Sequence, residues 1–272
     1  MTEVVAVLDH AGRQRLFARA LTAAFRGRGA ALCVRTHRDL VAEVTLKHAP
    51  GGPPSVEPDR ALLWLSPADP ATGPPPSEDE RFLAAEVASA ARSIAMLTRS
   101  PVLNRPTAVS SCGEFPAGAV AAVRRVARLP GLAASVRPER FTAGVGDRDG
   151  VDEVYDYSTG RSSYGPEPDT VGPVRRRPSA PGLPLARVRV VGDDALTSGA
   201  VPPAITDASR QVAAWYRLDL ATLWWLVEED APATLARIDC WIWDRAAVGD
   251  LDETAAAIAA WTGARPGGVA AR

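Results

Sequence analysis

The sequence predicts an α/β protein: a parallel α/β N-terminal domain followed by a C-terminal α+β half that contains an antiparallel hairpin. Three observations predict it. The chain opens as strand, helix, strand; a further buried-type strand and a long acid-capped helix follow; and β-rich runs return between residues 185 and 244.

Val4-Val5-Ala6-Val7-Leu8 is a short apolar run suited to a first strand. Arg13 to Phe25 then carries Leu16, Phe17, Ala20, Leu21 and Phe25 at helical spacing. Gly27 and Gly29 end that helix, and Ala30 to Arg35, with Cys33 inside it, reads as a second strand. A strand-helix-strand start implies parallel pairing. Ala61 to Leu65 is another buried-type strand, and Ser66 to Ser77, rich in Pro, Gly and Ala, is a loop.

Ser77 opens a helix that places Glu78, Asp79 and Glu80 in its first turn, where carboxylates favour the positive end of the helix dipole. It runs to about Thr98 with Phe82, Leu83, Val87, Ala90, Ile94 and Leu97 as its apolar stripe. Val102-Leu103-Asn104-Arg105-Pro106 follows. Pro116 to Leu129 reads as a helix with Arg124, Arg125 and Arg128 on its polar side, and Ala134 to Phe141 as a strand. Between Gly144 and Pro184 little periodicity survives apart from Glu153 to Tyr157, and Pro166 to Pro184 reads as a loop.

Composition narrows the function classes. The chain has 272 residues, 46% hydrophobic and 23% charged, with a formal net charge of −1, which gives no electrostatic reason to expect nucleic acid or a membrane surface. No apolar run approaches the roughly 20 residues that span a bilayer, and the N-terminus reads as a strand rather than a signal sequence, so a cytoplasmic protein is expected. Cys33, Cys112 and Cys240 lack disulfide or zinc spacing and read as structural thiols. Lys47 is the only lysine.

Arg187-Val188-Arg189-Val190-Val191-Gly192-Asp193 resembles the "R-V-x-V-V-G-D" strand of the C-terminal catalytic half of the ATP-grasp ligases, of the peptide-maturing and RimK-like kind. In that frame the next helix fits as Ile205 to Leu218, and a hairpin as Leu220 to Val227 and Thr234 to Asp244, turning at Glu229 to Pro232. Val102 to Pro106 resembles the "V-x-N-x-P" segment of the pre-ATP-grasp domain of these enzymes. The resemblance implies three regions: residues 1–106 pre-ATP-grasp-like, 107–184 a connecting region in place of a longer nucleotide-gripping lid, and 185–272 the C-terminal ATP-grasp-like subdomain. It also implies that the lid, which carries lysines in complete enzymes, is reduced or absent.

The departures matter as much as the match. Aligned without gaps, the hairpin puts Trp224 where the family's first metal-binding Asp belongs and Arg237-Ile238-Asp239 where its E-x-N belongs. A hard cation needs oxygen ligands, and these exchanges remove two carboxylates and add a positive charge. No metal site and no cofactor are therefore expected. Alternation along the last strand sends Arg237, Asp239, Trp241 and Trp243 to one face, toward Trp224. With Arg187 and Arg189, two residues apart on one strand face, these are candidates for binding a carboxylate or planar group by ion pairing and stacking. The alternatives are a structural ion pair and a core of indoles. Asp9 and His10 follow the first strand, where α/β folds place ligands, on fold-level analogy.

The reading favoured is a degenerate ATP-grasp-like protein of peptide or amino-acid-derived natural-product biosynthesis. It would bind a small-molecule or peptide substrate, anionic in character, in the old ligase cleft, or act on it without metal. Two alternatives stay open: an active ATP-dependent carboxylate-amine ligase with atypical ligands, and a non-catalytic partner subunit, which would bring a protein partner or a homodimer.

Overall fold

The computed structural model describes residues 3–8, 12, 14–48, 50–66, 77–108, 110–114, 129, 135–136, 140–142, 151–156, 161–164, 174–178, 185–227, 233–242 and 250–264; the strands between 135 and 178, Leu185 and Arg237 are described by backbone alone. The first half holds β1 (Val4–Val7), α1 (Arg15–Gly27), β2 (Leu32–Arg35), α2 (His37–Glu43), β3 (Thr45–Lys47), β4 (Ser55–Glu57), β5 (Ala61–Trp64), α3 (Glu78–Leu97) and β6 (Val102–Leu103). β2, β1, β5 and β6 form a parallel sheet in that order, and β3 and β4 form a small antiparallel pair.

Period-two alternation decides what each face of the parallel sheet buries. Val4, Ala6 and Leu8 pack with Phe17, Leu21 and Phe25 of α1, whereas Val5 and Val7 pack with Ala91, Ile94 and Ala95 of α3 on the other side. α3 starts with a reciprocal capping box between Ser77 and Glu80. Its C-terminal half carries the buried residues. Phe82 and Leu83, expected in the apolar stripe, are 68% and 50% exposed, because nothing among the described residues packs over the first two turns.

Asn104, directly after β6, has φ +54, a left-handed conformation that Asn tolerates better than most residues. Its fully buried carboxamide takes two backbone partners at Leu220, accepting from N–H at 2.8 Å and donating to C=O at 2.7 Å, and donates to the Cys240 carbonyl at 3.3 Å. Gln14, also fully buried, donates to the carbonyls of Leu65 and Ile242, both at 2.8 Å. The carboxyl ends of the parallel strands are thus pinned to the C-terminal half by two side-chain amides.

The middle region contains β7 (Ser135–Val136), β8 (Arg140–Thr142), β9 (Val151–Asp156), β10 (Arg161–Tyr164) and β11 (Val174–Pro178). The last four form an antiparallel sheet ordered β10-β9-β11-β8. Two expectations change. Residues 134–141 are not one strand, since β7 and β8 belong to different sheets. Nor is 166–184 a loop throughout: β11, with the run Arg175-Arg176-Arg177, pairs with both β8 and β9. An Arg-rich strand has no apolar alternation to announce it; its neighbours recruit it. The helix expected over 116–129 lies, apart from the buried Leu129, outside the described residues.

The C-terminal half comprises β12 (Leu185–Val191), β13 (Asp194–Ser198), α4 (Pro203–Trp215), β14 (Leu220–Leu226), β15 (Thr234–Asp239) and α5 (Leu251–Ala264). Its sheet runs β13-β12-β14-β15-β7, antiparallel except for the β15–β7 edge. β13, a short half-exposed edge strand, intervenes where the sequence predicts β12 to lead straight to the helix. Val188, Val190, Ala221, Leu223 and Trp225 face α4 and bury against Ile205, Ala208 and Val212. α5 packs into the core of α1, with Ile258 and Trp261 beside Val191, Leu220 and Ile242. No helix among the described residues is long and apolar enough to cross a membrane.

Candidate functional site

The opposite, polar face of the C-terminal sheet gathers Arg187, Arg189, Trp224 and Asp239 of the predicted residues. Pairing places Arg187 beside Trp224 and Trp224 beside Arg237 in one row, and Arg189 beside Thr222 and Thr222 beside Asp239 in the next. Residues two apart on a strand share a face, so Arg187 and Arg189 look the same way, as do Thr222 and Trp224. The pairing of β14 with β15 shifts after Trp224, which faces Arg237 while Trp225 faces Leu235, so Ala236 is the extra residue of a β-bulge.

Trp224 is held on both sides. Its indole N–H donates to Oδ2 of Asp239 at 2.9 Å, and the Arg187 guanidinium carbon lies 5.6 Å from its ring centroid, in cation–π range. Arg189 is 3% exposed in its side chain and lies deeper. Its Nε donates to Thr222 Oγ1 at 3.0 Å, and its Nη1 donates to Thr254 Oγ1 at 2.7 Å and to Asp250 Oδ2 at 2.8 Å. Burial pulls its guanidinium below the ordinary value, and the adjacent Asp250 carboxylate works against that shift. Arg187 reaches the same oxygen, with Nη2 3.0 Å from Asp250 Oδ2.

Asp250, Thr222 and Thr254 are the residues that sequence reasoning missed. Thr222 was findable: it precedes Trp224 by two on the same strand and must share its face. Asp250 and Thr254 had no signal, because they sit at the start of α5 beyond the hairpin, and only the packing of α5 on β12 brings them to the arginines.

The other predicted residues lie elsewhere. Trp241, just beyond β15, is half-buried and packs against the α4-side core and the α3-side core. The Arg237 side chain, Asp9, His10, Trp243, Asp244 and the turn at 229–232 fall outside the described residues. Lys47 is ion-paired with Glu57 across the β3–β4 pair, in the N-terminal half.

The resemblance in sequence implies magnesium and ATP, with Trp224 and Asp239 at two of the positions it assigns to metal ligands. The Trp224 indole engages Asp239, and Asp250, a further carboxylate on this face among the described residues, is bound by two guanidiniums, an arrangement that does not fit the metal. No cluster of three or more potential ligands from His, Cys, Asp or Glu occurs among the described residues.

A parallel α/β half joined through a hairpin sheet to a C-terminal helix is an ATP-grasp-like fold. Known structures carry the same fold. The macrocyclase MdnC of Microcystis aeruginosa MRC, solved bound with precursor peptide MdnA, matches with a TM-score of 0.63 and 11% identity over 97% of this chain and 100% of that one. The ATP-grasp ligase PsnB, complexed with minimal precursor, Mg and ADP, matches with a TM-score of 0.60 and 16% identity over 96% and 98%. A RimK domain ATP-grasp protein of Sphaerobacter thermophilus matches with a TM-score of 0.54 and 17% identity over 96% and 99%. No family model matches the sequence, and no curated protein matches it.

Proposed function

We propose that this chain is a degenerate ATP-grasp-like protein of peptide or amino-acid-derived natural-product biosynthesis, working in the cytoplasm, that has given up magnesium and ATP and binds an anionic peptide or amino-acid-type ligand at the Arg187 face of its C-terminal sheet. The observation that carries this reading is the Trp224–Asp239 hydrogen bond, between the residues that the sequence resemblance puts at two metal-ligand positions. Support for a peptide comes from the fold: MdnC and PsnB were solved with precursor peptides. Support for an anion comes from Arg187, whose guanidinium is stacked at the rim beside Trp224. Three free cysteines suit a reducing compartment.

The test is thermal melting of the purified protein with ATP, ADP and AMP, each with and without magnesium, since a ligand of the folded state raises the midpoint. No magnesium-dependent shift is expected. A saturable shift with Mg-ATP, lost in Trp224→Ala, would restore the reading of an active carboxylate-amine ligase with atypical ligands.

A second reading has its own observation. Phe82 and Leu83 place two large apolar side chains in solvent on neighbouring positions of α3, which favours a non-catalytic partner subunit. Phe82→Ser and Leu83→Ser would then abolish co-purification with a coexpressed ligase, or the homodimer, while leaving the melting midpoint in place.

A further inference from the structure

Arg187 and Arg189 converge on one carboxylate oxygen. Oδ2 of Asp250 lies 3.0 Å from Nη2 of Arg187 and 2.8 Å from Nη1 of Arg189. Below this point the floor is polar and buried: Thr222 is 3% exposed and Thr254 fully buried, and both hydroxyls accept from Arg189. The rim is more open, with the Arg187 and Asp250 side chains each 13% exposed. Oδ1 of Asp250 is buried and has no hydrogen-bond partner among the described residues.

This is an unusual way to spend a buried aspartate. A carboxylate immediately before a helix ordinarily caps the free N–H groups of the first turn. Asp250 instead turns one oxygen to two guanidiniums and leaves the other without a donor among the described residues, at a cost of desolvation that a purely structural residue avoids by using both. Two cations gripping one oxygen, over a floor organised by hydroxyls, is how proteins hold a small oxyanion.

We propose that Asp250 is an internal stand-in for such an anion. Arg187, Arg189, Thr222 and Thr254 form an oxyanion site of carboxylate size, filled by the chain's own side chain, and a ligand carboxylate or phosphate enters it by displacing Asp250. Arg187 also lies over the Trp224 ring, a contact that does not involve the Asp250 side chain directly. The site discriminates by competition: an anion must bring contacts of its own to outcompete a tethered carboxylate at high effective concentration. The inference rests on the reading that an anionic ligand occupies this face, but its test involves neither peptide nor nucleotide, so the two can fail separately.

The experiment is rescue of Asp250→Ala in the full chain by small anions. Melting is followed in acetate, formate or phosphate against chloride at equal ionic strength. Asp250→Ala is expected to melt below the wild type, and at a tenfold excess over its dissociation constant a fitting anion raises that midpoint by about 3 °C or more. Acetate or formate acting alone assigns a carboxylate ligand, and phosphate acting more strongly assigns a phosphate. The wild type and Asp250→Asn, in which the space stays filled, should not respond, and Asp250→Ala with Arg189→Met should lose the rescue. If Asp250→Ala fails to fold in chloride, refolding yield in acetate or phosphate over chloride reads the same difference. No gain over chloride, or an equal gain without Arg189, overturns the proposal.

Discussion

The indole nitrogen of Trp224 donates to the Asp239 carboxylate at 2.9 Å, so the residue at one expected metal position consumes the oxygen at another. The two residues act as a pair, joining β14 to β15 by a cross-strand side-chain hydrogen bond.

Trp224→Phe tests that bond. Phenylalanine keeps the aromatic face for Arg187 and deletes only the donor. The contact is part-buried and its acceptor is charged, so a loss of about 1 kcal/mol is expected in denaturant unfolding. Trp224→Phe together with Asp239→Leu should recover part of that loss, because replacing both partners of a hydrogen bond by apolar groups costs less than removing one.

Asn104→Ala removes three buried hydrogen bonds at once and strands the N–H and C=O of Leu220 and the C=O of Cys240. A stability loss of about 2–4 kcal/mol follows, part of which the Leu220 groups could recover by admitting water. Asn104→Asp should be at least as costly, since it presents an acceptor to two carbonyls. Chemical denaturation of both variants checks the order.

Gly113 has φ +53, and a Cβ there would lie 2.5 Å from the Tyr216 carbonyl oxygen and 2.8 Å from that of Arg217. Both neighbours are backbone and cannot swing aside. Gly113→Ala is therefore expected to cost about 2 kcal/mol or more and to lower the melting midpoint by several degrees. Gly29→Ala, where φ is +67 but nothing crowds the added methyl, separates backbone strain from the clash and should cost less.

Burial pushes the Cys112 thiol well above its ordinary value of 9.0, with the Cys240 side chain adding to the shift through a hydrogen bond. The sign follows from linkage. A pKa raised on folding favours the protonated native thiol, so its contribution is intact below pH 9 and drains away as pH rises beyond the unfolded value toward the folded one. Denaturant midpoints between pH 8 and 10.5 should fall more steeply for the wild type than for Cys112→Ala.

Local signals carried the parts of the fold that depend on local physics. The α1 stripe apart from the exposed Leu16, the Ser77–Glu80 cap of α3, the β12 strand and the β14–β15 hairpin, whose second strand ends at Asp239 rather than Asp244, were legible, because spacing, capping and β-rich runs are short-range properties. β13, β11 and the Ala236 bulge were not. A short exposed edge strand, an Arg-rich strand and a one-residue register shift exist only through what they pair with. The site divides the same way. Its arginines and Trp224 stand on strands that could be read, whereas Asp250 arrives from a helix whose docking is a tertiary event. Phe82 and Leu83 mark the converse error: a stripe at the right period predicts an apolar face but not whether anything covers it.

The carboxamides of Gln14 and Asn104 have a consequence for how this chain can be divided. Each belongs to the first half and satisfies backbone groups of the second, across 228 and 116 residues of sequence for the Ile242 and Leu220 contacts. Neither half can be expressed alone without opening these contacts and baring the surface that α5 and α1 share. Amide exchange at Leu220 should therefore report the opening of the whole protein rather than of one half, and fragments cut between β11 and β12 should be recovered folded only when both pieces are present together.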